Sequence, residues 1–336
     1  MANSGNRKKP AHLRCTGGAR PRHGAARPYC FTLAEYRAIL GRVVRSLTHE
    51  DLAMIAAGVS FYAMLALVPT LVALMSIYGF VADPSDAHSL LALLRPIVPD
   101  VMYELIDKQI TSLVHASGTA FKWTSLGTVL LALWSAKHGV NALLSGLNLA
   151  NRERDDRSFV KAWILSYGLT LLLIVLMAIT LGAIVVIPAA FAFVPDPNWQ
   201  ARLVLWLRWP VAIAAVVISI GVLYRLGPSR RGAAVPWLSP GALLATGLWM
   251  LASFALSYYL RTFGTYQAAY GALGAVIALM LWLWLGSLIV LLGARLNAEM
   301  EYQTDVDTTR GPPRPMGQRG AFVADHVVTE EDGGDR

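Results

Sequence analysis

The stretch that decides the fold is GALGAVIALMLWLWLGSLIVLLGARL, residues 271–296, in which Arg295 is the only charged residue. An α-helix rises about 1.5 Å per residue, and a hydrocarbon core is about 30 Å thick, so roughly 20 apolar residues cross it. This stretch exceeds that length. It therefore predicts a transmembrane helix.

Five earlier runs of the chain have the same character. The chain of 336 residues is 55% hydrophobic and only 15% charged, whereas soluble domains are about a quarter charged. Long apolar runs alternate with short charged ones, which is typical of a polytopic membrane protein. We predict an all-α fold with six transmembrane helices. The predicted spans are 56–82, 122–148, 160–187, 203–224, 240–261 and 271–296.

The positive charges predict the orientation of these spans. Ten of the 29 Lys and Arg residues precede the first span, and more lie in alternate loops. The basic residues of those loops are Arg152, Arg154, Arg157 and Lys161, then Arg225, Arg230 and Arg231. By the positive-inside rule we expect both termini in the cytoplasm of a bacterial inner (plasma) membrane. The net charge of +8 then indicates anionic lipids at the cytoplasmic face as partners, and no nucleic acid.

The segments outside the spans have distinct compositions. Residues 1–32 are rich in Gly, Pro and Arg and lack an apolar core, so we expect a disordered basic tail without a cleavable signal peptide. A membrane domain is predicted over 33–302. An external amphipathic region is predicted over 83–118 and a second disordered tail over 303–336. An amphipathic surface helix is predicted to begin the domain. Its apolar residues are Leu33, Tyr36, Leu40, Val43, Val44 and Leu47.

Polar residues inside the second span are the main candidates for function. Lys137, Asn141 and Asn148 share one helical face, and His138 lies about 100° around the helix. A cation at such a depth costs roughly 2.5–3.5 kcal/mol. Lys137 could snorkel to the interface, but helical side chains lean toward the helix N-terminus, here predicted to be external. We therefore predict that it faces an interior between the first, second and sixth spans, with Tyr62 nearby.

The last four spans contain no carboxylate, which argues against a proton relay of acidic residues. The groups that remain to stabilise Lys137 and Arg295 are backbone carbonyls, tyrosine hydroxyls, water or an anionic ligand. Glu299 could also pair with Arg295 at the i,i+4 spacing. The seven histidines are scattered along the chain, so we predict neither a metal site nor a cofactor.

Two further features complete the candidate site. Pro69 shares a stripe with Tyr62 in the first span and predicts a structural hinge, because proline removes a helical hydrogen bond. Tyr266 and Tyr270 precede the sixth span and predict either an aromatic belt or the lining of an external vestibule. The candidate substrate-binding residues are Lys137, Asn141, Tyr62, His138, Asn148, Tyr266 and Tyr270.

Three stretches resemble a known family. They are AAGVSFYAMLALVPTLVALMSIYG (56–79), LWSAKHGVNALLSGLN (133–148) and the run from Arg225 to Met300. Together they resemble the YihY / virulence factor BrkB family over about residues 35–302. The resemblance implies a six-helix bacterial inner-membrane protein, a virulence factor or transporter. A ribonuclease BN label has also been attached to the family, and the scattered histidines argue against it. The family commonly reads Gly-Ala-Glu-Leu-Asn-Ala where this chain has Arg295 in place of Glu.

These observations predict a transporter or exporter of an unidentified anionic or lipid-like substrate. The alternative is a non-transporting scaffold for envelope or virulence functions, which we expect to tolerate Asn141→Leu. A membrane-bound enzyme is less favoured, because no acid–base or metal constellation stands out in the sequence. We therefore predict that the chain is not an enzyme and name no catalytic residue.

Overall fold

A computed structural model gives the fold for most of the chain. The residues that it describes are 28, 31–49, 51–81, 119–181, 184, 199–262 and 265–327. The predictions for 83–118 and for nearly all of the tail 1–32 lie outside the described residues.

Regular structure in the described part of the chain is helical, apart from one isolated bridge between Ala233 and Thr309. The all-α prediction is confirmed. A helix coincides with each predicted span, and two further helices flank them. The helices are α1 (Leu33–His49), α2 (Leu52–Val81), α3 (Thr119–Ala150), α4 (Phe159–Leu181), α5 (Trp199–Leu226), α6 (Val235–Thr262), α7 (Thr265–Tyr302) and α8 (Phe322–Asp325).

Several of these helices are long and apolar enough to cross a membrane. Four such segments occur among the described residues, and a fifth arises if α1 and the first half of α2, bent by 61° at their junction, form one broken span. The four segments are Phe159–Thr180, Trp206–Leu226, Trp237–Tyr259 and Val276–Tyr302. The chain is thus a multi-pass membrane protein, and the count of six spans stays a prediction.

Helix α7 organises the bundle. It packs against α1, α2, α3, α6 and α8, while α2 and α3 pack closely along each other. The core concentrates toward the C-terminal end of α7, where Leu291 belongs to one cluster with Leu52 and Leu147, all fully buried. In the rest of the bundle, most side chains of each apolar span are not buried by protein, as expected for helices that are surrounded by lipid.

The backbones of α6 and α7 approach each other closely where the two helices cross. A Cβ atom added to Gly241 would collide with the carbonyl oxygen of Gly293 and lie 2.5 Å from Nδ2 of Asn297. Asn297 locks the crossing, because its Oδ1 accepts from the Gly241 N–H at 2.8 Å and its Nδ2 donates to Leu238 O at 3.1 Å. Small residues here let two backbones touch in a bilayer.

The predicted apolar face of α1 is partly buried against the bundle and partly exposed. Val43 is buried together with Ile39, and Tyr36 and Leu47 pack partly against the same core. The remaining members of the face, Leu33, Leu40 and Val44, are exposed. The helix is thus docked on the bundle by one side. Its contact with the membrane surface stays a prediction.

The prediction of a disordered tail over 303–336 is wrong for residues 303–327, which form an ordered segment. We call these residues the C-terminal segment. Both oxygens of Asp325 are used, because Oδ1 accepts the N–H groups of Gly317 and Arg319 and Oδ2 accepts that of Gly320. The Arg319 guanidinium in turn donates to Ala324 O and Asp305 O. Composition alone pointed to disorder, whereas specific polar contacts hold the segment.

The C-terminal segment is expected to loosen in acid. Burial would raise the pKa of Asp325, but its backbone N–H partners outweigh burial and lower that pKa. A carboxyl group with a lowered folded pKa stabilises above its ordinary value of about 3.9, and this contribution is lost as pH falls through the folded pKa. After correction for the pH-dependent intrinsic exchange rate, the protection of residues 305–327 against hydrogen exchange should be similar at pH 7 and pH 5 and lower well below about pH 4.

Asp325→Asn serves as the matched variant for this prediction. It should speed exchange at pH 7 and reduce the acid-dependent change. Glu153 has the opposite pH dependence. Burial raises its pKa more than the hydrogen bond from the Phe322 N–H lowers it, so its contribution to stability is lost as pH rises. Exchange in Asp325→Asn that matches the parent at every pH would contradict the assignment to Asp325.

Candidate functional site

The polar stripe of α3 faces α4 and the loop that joins α5 to α6. The Nζ of Lys137 lies 5.0 Å from the centroid of the Tyr167 ring on α4. Asn141 Oδ1 accepts a hydrogen bond from the Ser166 hydroxyl, also on α4. The predicted position of Lys137 between the first, second and sixth spans is therefore wrong, since its neighbour belongs to the third. Helical spacing predicted the shared face, but it could not say which helix covers that face.

Lys137 is half-buried and has no carboxylate partner among the described residues. The face of a tyrosine ring attracts a cation through its quadrupole, worth about 0.5–2 kcal/mol depending on solvation. Such a contact leaves the positive charge of the lysine uncompensated. The side chain can thus still attract an anion.

Asn148 has a structural contact. Its side chain is buried, and its Oδ1 accepts the backbone N–H of Ser229 at 2.7 Å. This bond ties the C-terminal end of α3 to the α5–α6 loop. Asn148 therefore positions a loop in the structure.

His138 and Tyr62 form a second face, between α3 and α2. The two rings are 5.7 Å apart, and the Trp134 ring lies 4.3 Å from His138. The Nδ1–H of His138 donates to Trp134 O at 2.8 Å, because a carbonyl can only accept. Tyr62 thus adjoins His138, around the helix from Lys137.

Three candidates lie where the structure describes the backbone alone. Tyr266 and Tyr270 fall in the first turns of α7. Position 69 falls inside α2, which continues as a helix to Val81. The vestibule and the Pro69 hinge stay predictions.

A group of ion pairs lies where the C-terminal ends of α3 and α7 meet, on the predicted cytoplasmic side. Glu299 is almost fully buried and pairs with Arg42 at 2.5 Å, Arg152 at 3.1 Å and Arg295 at 3.0 Å. We call these four residues the Glu299 cluster. The i,i+4 pairing of Arg295 with Glu299 is confirmed. The cluster joins α1, the α3–α4 loop and α7 and carries three positive charges against one negative.

A second buried ion pair lies beside it. Arg230 donates to both oxygens of Glu301, at 3.0 and 2.7 Å, and the Thr308 hydroxyl donates to Glu301 at 2.7 Å. Burial lowers the pKa of Arg230, but attraction to Glu301 and the bonds between them outweigh burial and raise it. The arginine stays charged at every working pH.

Sequence position indicated topology signals at Arg42, Arg152 and Arg230 and did not predict their pairing with Glu299 and Glu301. One signal was present, since Glu299 and Glu301 are the first acids after Asp196 and end a long apolar helix. Two carboxylates at that place, opposite loops rich in arginine, fit buried ion pairs. Which arginine meets which carboxylate depends on packing across up to 257 positions, as for Arg42 and Glu299.

Known proteins resemble the chain over most of its length. The chain is 28% identical to the ribonuclease-like protein YfkH of Bacillus subtilis (strain 168) over 251 residues, covering 72% of this chain and 87% of the relative. A UPF0761 membrane protein of Tolumonas auensis is 26% identical over 310 residues, with 88% and 95% covered. Another, of Vibrio campbellii, is 26% identical over 284 residues, with 78% and 83% covered.

No solved structure matches the chain. The family profile described as Virulence factor BrkB matches residues 43–317. The match extends beyond α7 into the C-terminal segment, further than the resemblance of the sequence motifs. The chain belongs to the virulence factor BrkB family.

Proposed function

We propose that the protein is a transporter or exporter in the bacterial inner membrane, with both termini cytoplasmic, and that its substrate is anionic or lipid-like. The observation that carries the proposal is Lys137. Its ammonium group lies within the span predicted at 122–148, against Tyr167, with no carboxylate partner among the described residues. A charge is costly at such depth, and uncompensated charges in spans commonly mark substrate pathways.

Charge balance supports an anion as the cargo. The acids of the described ion pairs, Glu299 and Glu301, are engaged at the far end of α7. A negative ligand group beside Lys137 would lower the electrostatic cost of holding its half-buried positive charge. The aromatic face of Trp134, His138 and Tyr62 one step around α3 offers apolar contact for an amphipathic substrate.

The proposed contact set is therefore Lys137 with Asn141, His138 and Tyr62. Asn148 is proposed to position the α5–α6 loop, since its amide already holds Ser229. Tyr266 and Tyr270 remain proposed contacts at an external vestibule.

One observation favours the scaffold alternative. Asn141 and Asn148 both have partners inside the protein, Ser166 and Ser229. Satisfied polar groups stabilise helix packing in a bilayer without any ligand. A scaffold would use the stripe in this way only.

Flux through purified protein separates the two functions. The full chain is reconstituted in liposomes with dodecyl phosphate, oleate or a fluorescent phosphatidylglycerol as probe, and their zwitterionic or neutral analogues as controls. We expect the protein to speed movement of at least one anionic probe over protein-free vesicles, and the matched analogue less. Equal rates with and without protein for every probe would favour the scaffold.

We also propose that the protein is not an enzyme. Within residues 31–49, 51–81, 119–181, 199–262 and 265–327, no three His, Cys, Asp or Glu side chains meet as metal ligands would. The ribonuclease-like name belongs to the Bacillus subtilis relative. The scattered histidines of this chain are the support for leaving nuclease chemistry out of the proposal.

A further inference from the structure

An open pocket of about 540 Å³ lies where two loops meet the C-terminal segment. Its wall is built from the α3–α4 loop, the end of α5, the α5–α6 loop and the C-terminal segment. We call it the arginine pocket. It is lined by four arginines and no acid, and the residues that define it are Arg157, Arg225, Pro228, Arg230, Arg310 and Gly311.

The pocket keeps an excess of positive charge. Arg230 is offset by Glu301. Arg157 donates to the carbonyl oxygens of Leu226 and Pro228, which position the guanidinium, and its positive charge is attracted to Asp155 without a direct ion pair between them in the described residues. No ion pair is found for Arg225 or Arg310 within the described ranges. Three positive charges, those of Arg157, Arg225 and Arg310, therefore line the same pocket.

Buried donors at the pocket lack acceptors. The Arg230 side chain is only 2% exposed, and its Nε has no hydrogen-bond partner among the described residues. Nη1 of Arg231, the residue that follows Arg230 behind the pocket wall, likewise has no hydrogen-bond partner among the described residues. Buried N–H groups are nearly always paired in native proteins. Oxygens of an anion are acceptors that such groups could use.

The wall is held in place before any ligand arrives. The C-terminal segment is pinned to the α5–α6 loop, because Arg310 N–H donates to Gly232 O at 3.0 Å and Ala234 N–H donates to Thr308 O at 2.9 Å. Gly311 adopts φ +100°, a conformation that favours glycine. These bonds preorganise the backbone that carries the arginines, and guanidinium groups match the tetrahedral oxygens of phosphate.

We propose that the arginine pocket binds a phosphate-bearing anion at the predicted cytoplasmic face of the membrane. The volume exceeds that of a phosphate group alone, so the ligand carries an attached organic group. Two sources share this chemistry, the headgroup of an anionic phospholipid and a soluble phosphate ester. The proposal stands on the pocket and does not require that the protein transports anything.

The test compares two probes with one headgroup. Phosphatidic acid and glycerol 3-phosphate carry the same phosphate monoester and differ in their acyl chains, and phosphatidylcholine is the zwitterionic control. Binding to the full-length protein in neutral detergent is measured by native mass spectrometry, with thermal melting as a check on folding. The test variant is Arg225→Gln with Arg310→Gln, because neither side chain has a described structural partner.

The matched control is Arg154→Gln with Arg314→Gln. It removes the same charge from exposed positions outside the pocket. We expect the test variant to lose at least about tenfold in affinity and the control to bind as the parent does. If the test variant fails to fold, Arg310→Glu alone, at an exposed position, replaces it.

Each outcome decides the proposal. Binding of phosphatidic acid but not glycerol 3-phosphate, lost in the test variant, identifies a lipid headgroup site. Binding of glycerol 3-phosphate, lost in the test variant, identifies a soluble phosphate ester. Binding that falls equally in the test and control variants, or no phosphate-specific binding by the parent, overturns the proposal.

Discussion

Replacing Glu299 by glutamine is expected to destabilise the folded protein strongly. The substitution leaves Arg42, Arg152 and Arg295 within one buried cluster without a counter-charge. Breaking a buried ion pair costs about 3–5 kcal/mol, because the remaining charge stays desolvated. Repulsion among the guanidinium groups adds to this, reduced for Arg152 by its partial exposure to solvent. Such a loss is a large part of the 5–15 kcal/mol that typically stabilises a fold.

Melting temperature and monodispersity in detergent measure this effect. We expect the Glu299→Gln protein to melt at least about 5 °C lower than the parent or to aggregate. Arg295→Gln should lower the melting temperature less, since Glu299 keeps two arginine partners. The double variant Glu299→Gln with Arg295→Gln should recover part of the stability that Glu299→Gln loses. Asp305→Asn is the control, at an exposed carboxylate of the adjoining segment. Parent-like melting of Glu299→Gln would rule out a structural role for the cluster.

Replacing Gly241 by alanine should separate α6 from α7. The added methyl group collides with the backbone oxygen of Gly293, which cannot rotate away as a side chain could. The bond between the Gly241 N–H and Asn297 would stretch or break with it. Overpacking of this kind destabilises the fold by about 1–3 kcal/mol. We expect a loss near the upper end of this range, because the obstacle is a backbone atom.

Gly247→Ala on the same helix is the matched control. No atom lies within 4 Å of its added Cβ, so the higher helix propensity of alanine should leave the melting temperature equal or higher. The two substitutions are chemically identical and differ only in what the methyl group meets. Equal melting temperatures for both variants would contradict the close crossing of α6 and α7.

Hydrophobic length and periodicity were sufficient to predict the helices. A run such as 271–296 has one stable solution in lipid, because a helix satisfies every backbone hydrogen bond within itself. The pairing of Arg295 with Glu299 was also predictable, because both residues lie on one helix at a fixed spacing. Local geometry fixes both results.

Contacts between distant segments were beyond such reasoning. The face of α3 that carries Lys137 followed from spacing, but its contact with Tyr167 required the order of helices around the bundle. The C-terminal segment was misjudged for a related reason. Its Gly- and Pro-rich composition resembles that of disordered tails, whereas the contacts of Asp325 and Arg319 depend on individual positions.

In the proposed function, anion transport depends on the charge of Lys137, and one measurement tests this dependence directly. Anionic-probe flux is compared in proteoliposomes of the parent, Lys137→Met, Lys137→Arg and Lys137→Gln at equal protein content. Lys161→Met is the control, since it removes a lysine from an exposed position at the start of α4. We predict that Met and Gln abolish most of the anionic flux, that Arg retains it, and that Lys161→Met behaves as the parent. Full flux through Lys137→Met would contradict the account, because the cation would then be incidental.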